Sequence, residues 1–252
     1  TLICRQKALS LQHDMESLTL CNLSIGYGRH VVGAQLSARV AAGGVTLLLG
    51  RNGCGKSTLL HCLGGLLPPL AGEVWWDGGA LHECTPQERA RRVAFLLTTR
   101  PAAVSLTVQD VLETARLPHR GATTPAADRL VTLRAAQRCG VADWLSRPLH
   151  TLSDGQVQWV MLARTLAQDT PLLLFDEPTA HLDLPGKRAL FALLLNLARE
   201  EGRTIIASTH DLLPICHEVS AWWLLHEGRL LCGSPTDTRL RQTVGEALET
   251  EV

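Results

Sequence analysis

Apolar and polar positions along the chain fall into two regimes. Between residues 18 and 40, short alternating runs such as Leu18-Thr19-Leu20-Cys21 are broken by Gly26, Gly28 and Gly33. That pattern predicts an antiparallel β layer. From residue 45 the runs become continuous. Val45-Thr46-Leu47-Leu48-Leu49, Leu172-Leu173-Leu174-Phe175, 204–208 and 222–225 are apolar segments of strand length. Strands that apolar need cover on both faces. Helical stretches are expected over 56–66 and 186–201. Alternation of strand and helix implies a parallel sheet with helices on both sides. Val74-Trp75-Trp76 followed by Asp77-Gly78-Gly79 reads as a strand and turn. Residues 99–166 are richest in helix formers, punctuated by Pro118, Gly121 and Pro125. There is no internal repeat and no low-complexity tract.

Composition narrows this picture in three ways. With 252 residues, 46% hydrophobic and 19% charged, the chain is long and apolar enough to bury a core. The 24 basic and 24 acidic side chains cancel, so no basic footprint points to nucleic acid. The longest apolar runs fall far short of a membrane span, so any membrane role is expected to come through a partner. Residues 1–14 lack the apolar core of a signal peptide and read as a disordered extension, with a natural start expected near Met15. Eight cysteines are scattered without a C-x-x-C pair, as expected of free thiols in a reducing compartment.

The chemistry begins with Gly50-Arg51-Asn52-Gly53-Cys54-Gly55-Lys56-Ser57-Thr58, which fits G-x-x-x-x-G-K-[ST] between a buried strand and a helix. The glycines let backbone N–H groups close around phosphate oxygens, and the helix N-terminus adds partial positive charge. Lys56 can reach the β and γ phosphates and Ser57 can offer a hydroxyl to magnesium. The strand 172–175 delivers Asp176 and Glu177 at its C-terminal end, where parallel sheets bind ligands. Asp176 suits magnesium, and Glu177 suits the polarising of an attacking water. No Asn-Lys-x-Asp guanine motif is present.

Thr151-Leu152-Ser153-Asp154-Gly155-Gln156 resembles the signature of ABC ATPases, a short helix upstream of the second buried strand. Other elements of that family follow in order. Tyr27 matches the aromatic residue that stacks on adenine, Ala180-His181-Leu182-Asp183 the loop after the catalytic glutamate, and His210 the switch histidine. The resemblance spans about residues 18–233. It implies a P-loop NTPase (RecA-like) α/β core with an antiparallel β subdomain and an α-helical subdomain of about 99–166, in one ATPase domain over 15–252. It implies ATP and Mg2+ as cofactors, with Glu177 and His210 catalytic. Ser153, Gly155, Gln156 and Asp183 would join the phosphate loop and Tyr27 in binding nucleotide. One set of motifs per chain implies a second ATPase subunit, most simply a homodimer, meeting head to tail around two ATPs. Transmembrane permease subunits would be the partners, with an extracytoplasmic solute-binding protein reached indirectly. The chain would then work at the cytoplasmic face of the membrane.

The pattern is broken in places. Thr98 stands where the family places a magnesium-liganding glutamine, which puts hydrolysis rate and coupling in question. Asp154 replaces a glycine and is expected to point away from phosphate as a helix cap. Trp159 replaces an arginine. Cys54, beside a helix N-terminus and Lys56, is expected to favour the thiolate. The segment 106–119, ending Ala115-Arg116-Leu117-Pro118-His119, resembles one found in importers of iron-siderophores, haem and cobalamin, with Ala115 in place of a glycine. The roughly twenty residues after Gly233 are too few for the regulatory domain of sugar-importer ATPases. Two alternatives are a degenerate cassette that hydrolyses little and a soluble ABC ATPase. The second usually needs two cassettes or a coiled-coil insertion.

Overall fold

The computed structural model describes residues 18–96, 106–210, 212 and 214–249. The first described elements form an antiparallel hairpin, β1 (Leu18–Tyr27) against β2 (His30–Val40), and β1 pairs on its other side with β4 (Ala71–Trp76), which turns into β5 (Gly79–Ala80). The second sheet contains β3 (Val45–Leu49), β6 (Val93–Leu96), β7 (Leu172–Phe175), β8 (Thr204–Thr209), β9 (Ala221–His226) and β10 (Arg229–Gly233). Its order is β10-β9-β3-β8-β7-β6, parallel throughout except for the β9–β10 hairpin at one edge.

The helices are α1 (Lys56–Leu63), α2 (Pro86–Arg92), α3 (Val108–Thr114), α4 (Pro125–Arg138), α5 (Asp154–Ala167), α6 (Leu184–Glu201) and α7 (Thr238–Leu248). The strands and helices expected from the sequence are present, with shifted ends. α1 stops at Leu63 because Gly64 and Gly65 follow, the latter at φ +67°. α6 starts two residues earlier than expected, at Leu184, where Asp183 accepts from the Gly186 N–H at 2.9 Å.

Two cores flank the parallel sheet. Leu47, Leu49, Leu173, Phe175, Ile205, Ala207, Trp222 and Leu224 pack on the side of α5 and α6. Leu48, Leu172, Leu174, Ile206, Trp223 and Leu225 pack on the side of α1 and the antiparallel sheet. Successive strand residues point to opposite faces, so covering both faces demands the unbroken apolar runs seen in the sequence. The arrangement is a P-loop NTPase-type α/β core carrying an antiparallel β layer and a group of helices, α3 to α5, inserted between β6 and β7.

Candidate active site

The C-terminal ends of β3, β7 and β8 converge on one place. β3 ends in Gly50, at φ +154°, where a Cβ would lie 2.6 Å from both the Leu225 carbonyl oxygen and Cys54 Sγ. Gly55, at φ +107°, forms the N-cap of α1, and a Cβ there would stand 2.3 Å from Val32 of β2. Only glycine fits both positions. Val32 thereby brings the β1–β2 hairpin, with the 54% exposed Tyr27 at its tip, against the loop. Lys56 is buried, and its Nζ donates to the Gly50 carbonyl at 2.8 Å and the Arg51 carbonyl at 3.2 Å. Ser57 is exposed at the start of α1, whereas Thr58 is buried. Arg51, Asn52 and Gly53 are exposed, and Arg51 pairs with Glu249 beyond α7 at 2.9 Å. Both of those side chains are open to water, so the contact contributes little.

β7 supplies the acidic pair. Asp176 is 4% exposed, and its Oδ1 accepts from Ser208 Oγ at 2.8 Å. The same hydroxyl accepts from the Glu177 N–H at 2.8 Å, so one buried serine on β8 fixes two neighbours. Glu177 sits at φ +46°, a left-handed conformation that strains a side chain of its size by about 1–3 kcal/mol. Strain of this kind persists where surrounding contacts over-determine the backbone. Glu177 Oε1 lies 3.2 Å from Lys56 Nζ, and Oε2 lies 2.9 Å from His210 Nδ1. The structure thus brings together Lys56, Asp176, Glu177 and His210. It adds Ser208, a residue that sequence reasoning missed, since a serine ending an apolar strand carries no local signal.

The fused glycine loop, the buried lysine and the acidic pair on the adjoining parallel strands are the geometry of a nucleotide-hydrolysing centre, and residues 34–180 match the ABC transporter family. The chain belongs to that family. The iron(3+)-hydroxamate import ATP-binding protein FhuC of Bacillus subtilis (strain 168) is 39% identical over 200 residues, covering 79% of this chain and 74% of that protein. The ferric enterobactin transport ATP-binding protein FepC of Escherichia coli (strain K12) is 36% identical over 218 residues, covering 85% of this chain and 80% of that protein. Among solved structures, an ATP-binding subunit of an ABC transporter superposes with a TM-score of 0.77 at 25% identity, over 91% of this chain and 94% of that one. This ABC cassette is accordingly an ATP-binding ATPase.

The remaining expected site residues occupy definite places in the cassette. Ser153 is the N-cap of α5. Its hydroxyl accepts from the Gln156 N–H, and Gln156 Oε1 accepts from the Ser153 N–H at 3.0 Å, a reciprocal capping box. Asp154 is therefore not the cap, contrary to the sequence expectation. It is the first helical residue, where the macrodipole favours a carboxylate. Gly155 faces the loop after Glu177, since a Cβ there would stand 3.1 Å from the His181 carbonyl oxygen. Asp183 caps α6. Trp159 packs half-buried against the larger core, an aromatic filling role that its sequence context did not suggest. Thr98 lies outside the described residues, as do Met15 and the 1–14 extension.

Cys54 corrects a second expectation. Burial raises its thiol pKa, and the nearby Lys56 charge opposes that shift without overcoming it. The side chain turns inward beside Gly50 and packs on the smaller core, so the lowered thiolate pKa expected from sequence is not found.

Proposed function

We propose that this cassette drives a membrane importer of metal chelates, the class to which iron-siderophores, haem and cobalamin belong. What supports this is the pairing of the Lys56–Glu177–His210 cluster with relatives whose names specify iron(3+)-hydroxamate and ferric enterobactin. One ATPase domain, residues 15–252 with a helical subdomain of about 99–166, would carry the function. Gly50, Arg51, Asn52, Gly53, Cys54, Gly55, Lys56, Ser57 and Thr58 hold the phosphates and Tyr27 stacks on adenine. Glu177 polarises the attacking water, with His210 beside it. Magnesium takes oxygen ligands, which fits the Ser57 hydroxyl and the buried Asp176 carboxylate, with Thr98 as a further hydroxyl. Among the described residues no three His, Cys, Asp or Glu side chains are placed to hold a metal ion together, so this cation would complete its shell from phosphate oxygens and water.

No described helix is long and apolar enough to cross a membrane. Transport then requires permease subunits, with a solute-binding protein on the far side. A second copy of this chain would place its Ser153, Gly155, Gln156 and Asp183 against the first chain's ATP. The permease contact falls on residues 116–119. Leu117 is 47% exposed there, while its neighbours are anchored. The Pro118 carbonyl accepts from Arg91 at 2.8 Å and Gln87 at 3.1 Å. Buried Arg116 donates to the Ala167 carbonyl at 2.9 Å and pairs with Asp128 at 2.8 Å. A push on Leu117 is therefore passed to α2 and to the end of α5.

Uptake of radiolabelled iron-siderophore, haem and cobalamin by cells lacking this chain tests the proposal. One of the three should fail and return with the parent gene but not with Lys56→Ala. Normal uptake of all three would remove the chelate assignment.

A further inference from the structure

Gln158 lies in the second turn of α5, and its Nε2 donates to the Pro178 carbonyl at 2.8 Å. The partner is an acceptor, which fixes the orientation of the side-chain amide. Pro178 directly follows Glu177, whose left-handed backbone is held on its N-terminal side by Ser208 Oγ and bridged across the turn by the Ala180 N–H at 3.0 Å from the Glu177 carbonyl. The bond from Gln158 is the side-chain restraint that comes from another helix on the C-terminal side. Gly155, one turn earlier on the same helix, already touches this loop at His181. The N-terminal end of α5 and the turn that aims Glu177 are consequently one unit.

We propose that Gln158 is a positioning residue for ATP hydrolysis, setting the Glu177 carboxylate through the Pro178 carbonyl within its own chain. In the head-to-tail pairing proposed above, on which this inference rests, Ser153 and Gly155 serve the partner's nucleotide. Glu177 serves the nucleotide held by its own phosphate loop. Gln158 joins these two ends, so its influence on chemistry is exerted in cis.

Gln158→Leu and the less branched Gln158→Met keep the apolar bulk and delete the donor. Both should lower kcat about tenfold with KM for ATP unchanged, as expected when an interaction aligns a group for the transition state. Mixed dimers then separate the routes. One chain carries Glu177→Gln, leaving a single hydrolytic site, and single-turnover phosphate release is followed. Gln158→Leu on the chain with intact Glu177 should slow release about tenfold, and on the Glu177→Gln chain should leave it at the parental rate. Equal loss on both chains, or loss only on the Glu177→Gln chain, would assign Gln158 to the partner-facing end of α5 and overturn the proposal. Should light scattering show no ATP-dependent dimer, the pairing itself fails. The homogeneous variants then decide, and a parental kcat in both overturns the role of Gln158.

Discussion

Replacing Glu177 with glutamine should do two things at once, and the second follows from the contact between Glu177 and Lys56. The carboxylate that would polarise water is lost, so turnover should fall by about 10²–10⁴-fold, the usual contribution of a positioned general base. The same carboxylate now holds Lys56 at 3.2 Å, with side chains only 5% and 19% exposed. Two unit charges at that separation attract by roughly 5 kcal/mol at an effective dielectric of about 20. Most of that is recovered when a phosphate replaces the carboxylate. A residue of about 1.4 kcal/mol corresponds to tenfold tighter ATP binding in the Glu177→Gln chain. The carboxylate also repels phosphate, which acts in the same direction. Calorimetry with EDTA present, so that neither chain hydrolyses, gives both dissociation constants, and a phosphate-release assay with magnesium gives turnover. Parental turnover would refute Glu177 as the base. ATP affinity equal to or below the parent would show that the Lys56–Glu177 pair does not compete with nucleotide.

Other outcomes follow from the same geometry. Light scattering of Glu177→Gln should report a monomer without nucleotide and a dimer with ATP, and a tight nucleotide-independent dimer would refute the sandwich arrangement. Leu117→Ala should keep basal ATPase activity and lose stimulation by the reconstituted permease. Equal stimulation of variant and parent would remove Leu117 from the contact. For Cys54 the sign runs from burial. A raised thiol pKa leaves less thiolate at neutral pH, so alkylation should be slow there and accelerate as the solution is made alkaline. Cys54→Ala should retain activity and lose that alkaline sensitivity. Rapid inactivation of the parent at neutral pH, absent in Cys54→Ala, would contradict the half-buried, inward placement of this thiol.

Much of this was legible in the residues. The run 45–49 and the strand 172–175 announced both covered faces of the parallel sheet, and G-x-x-x-x-G-K-[ST] announced the loop between strand and helix. Some of what was missed was also written there. Ser153 and Gln156 form a capping box three residues apart, which should have displaced Asp154 as the cap. Asp237 ahead of Leu240, Val244 and Ala247 is a capped amphipathic pattern, and it is α7. Other features had no local signal. The left-handed turn at Glu177, the two bonds of Ser208 and the reach of Gln158 to Pro178 depend on elements separated by twenty residues or more. The tight space at Gly50 likewise depends on a distant strand, since a Cβ there would meet the Leu225 carbonyl of β9 as well as Cys54 Sγ.

The strand β9 places Trp222 and Trp223 side by side in the chain but in different cores, the first donating its indole N–H to the Cys216 carbonyl at 2.9 Å. An optical experiment gains two reporters from one dipeptide. Trp222 sees the side of the sheet where α5 and α6 lie, and Trp223 sees the side where α1 and the antiparallel layer lie. In a chain whose other four tryptophans (Trp75, Trp76, Trp144 and Trp159) are already phenylalanine, replacing each of the pair in turn would leave an emission that loses one viewpoint and keeps the other. Nucleotide binding at the loop and docking of a permease on the helical side could then be followed as separate colour changes in a single molecule.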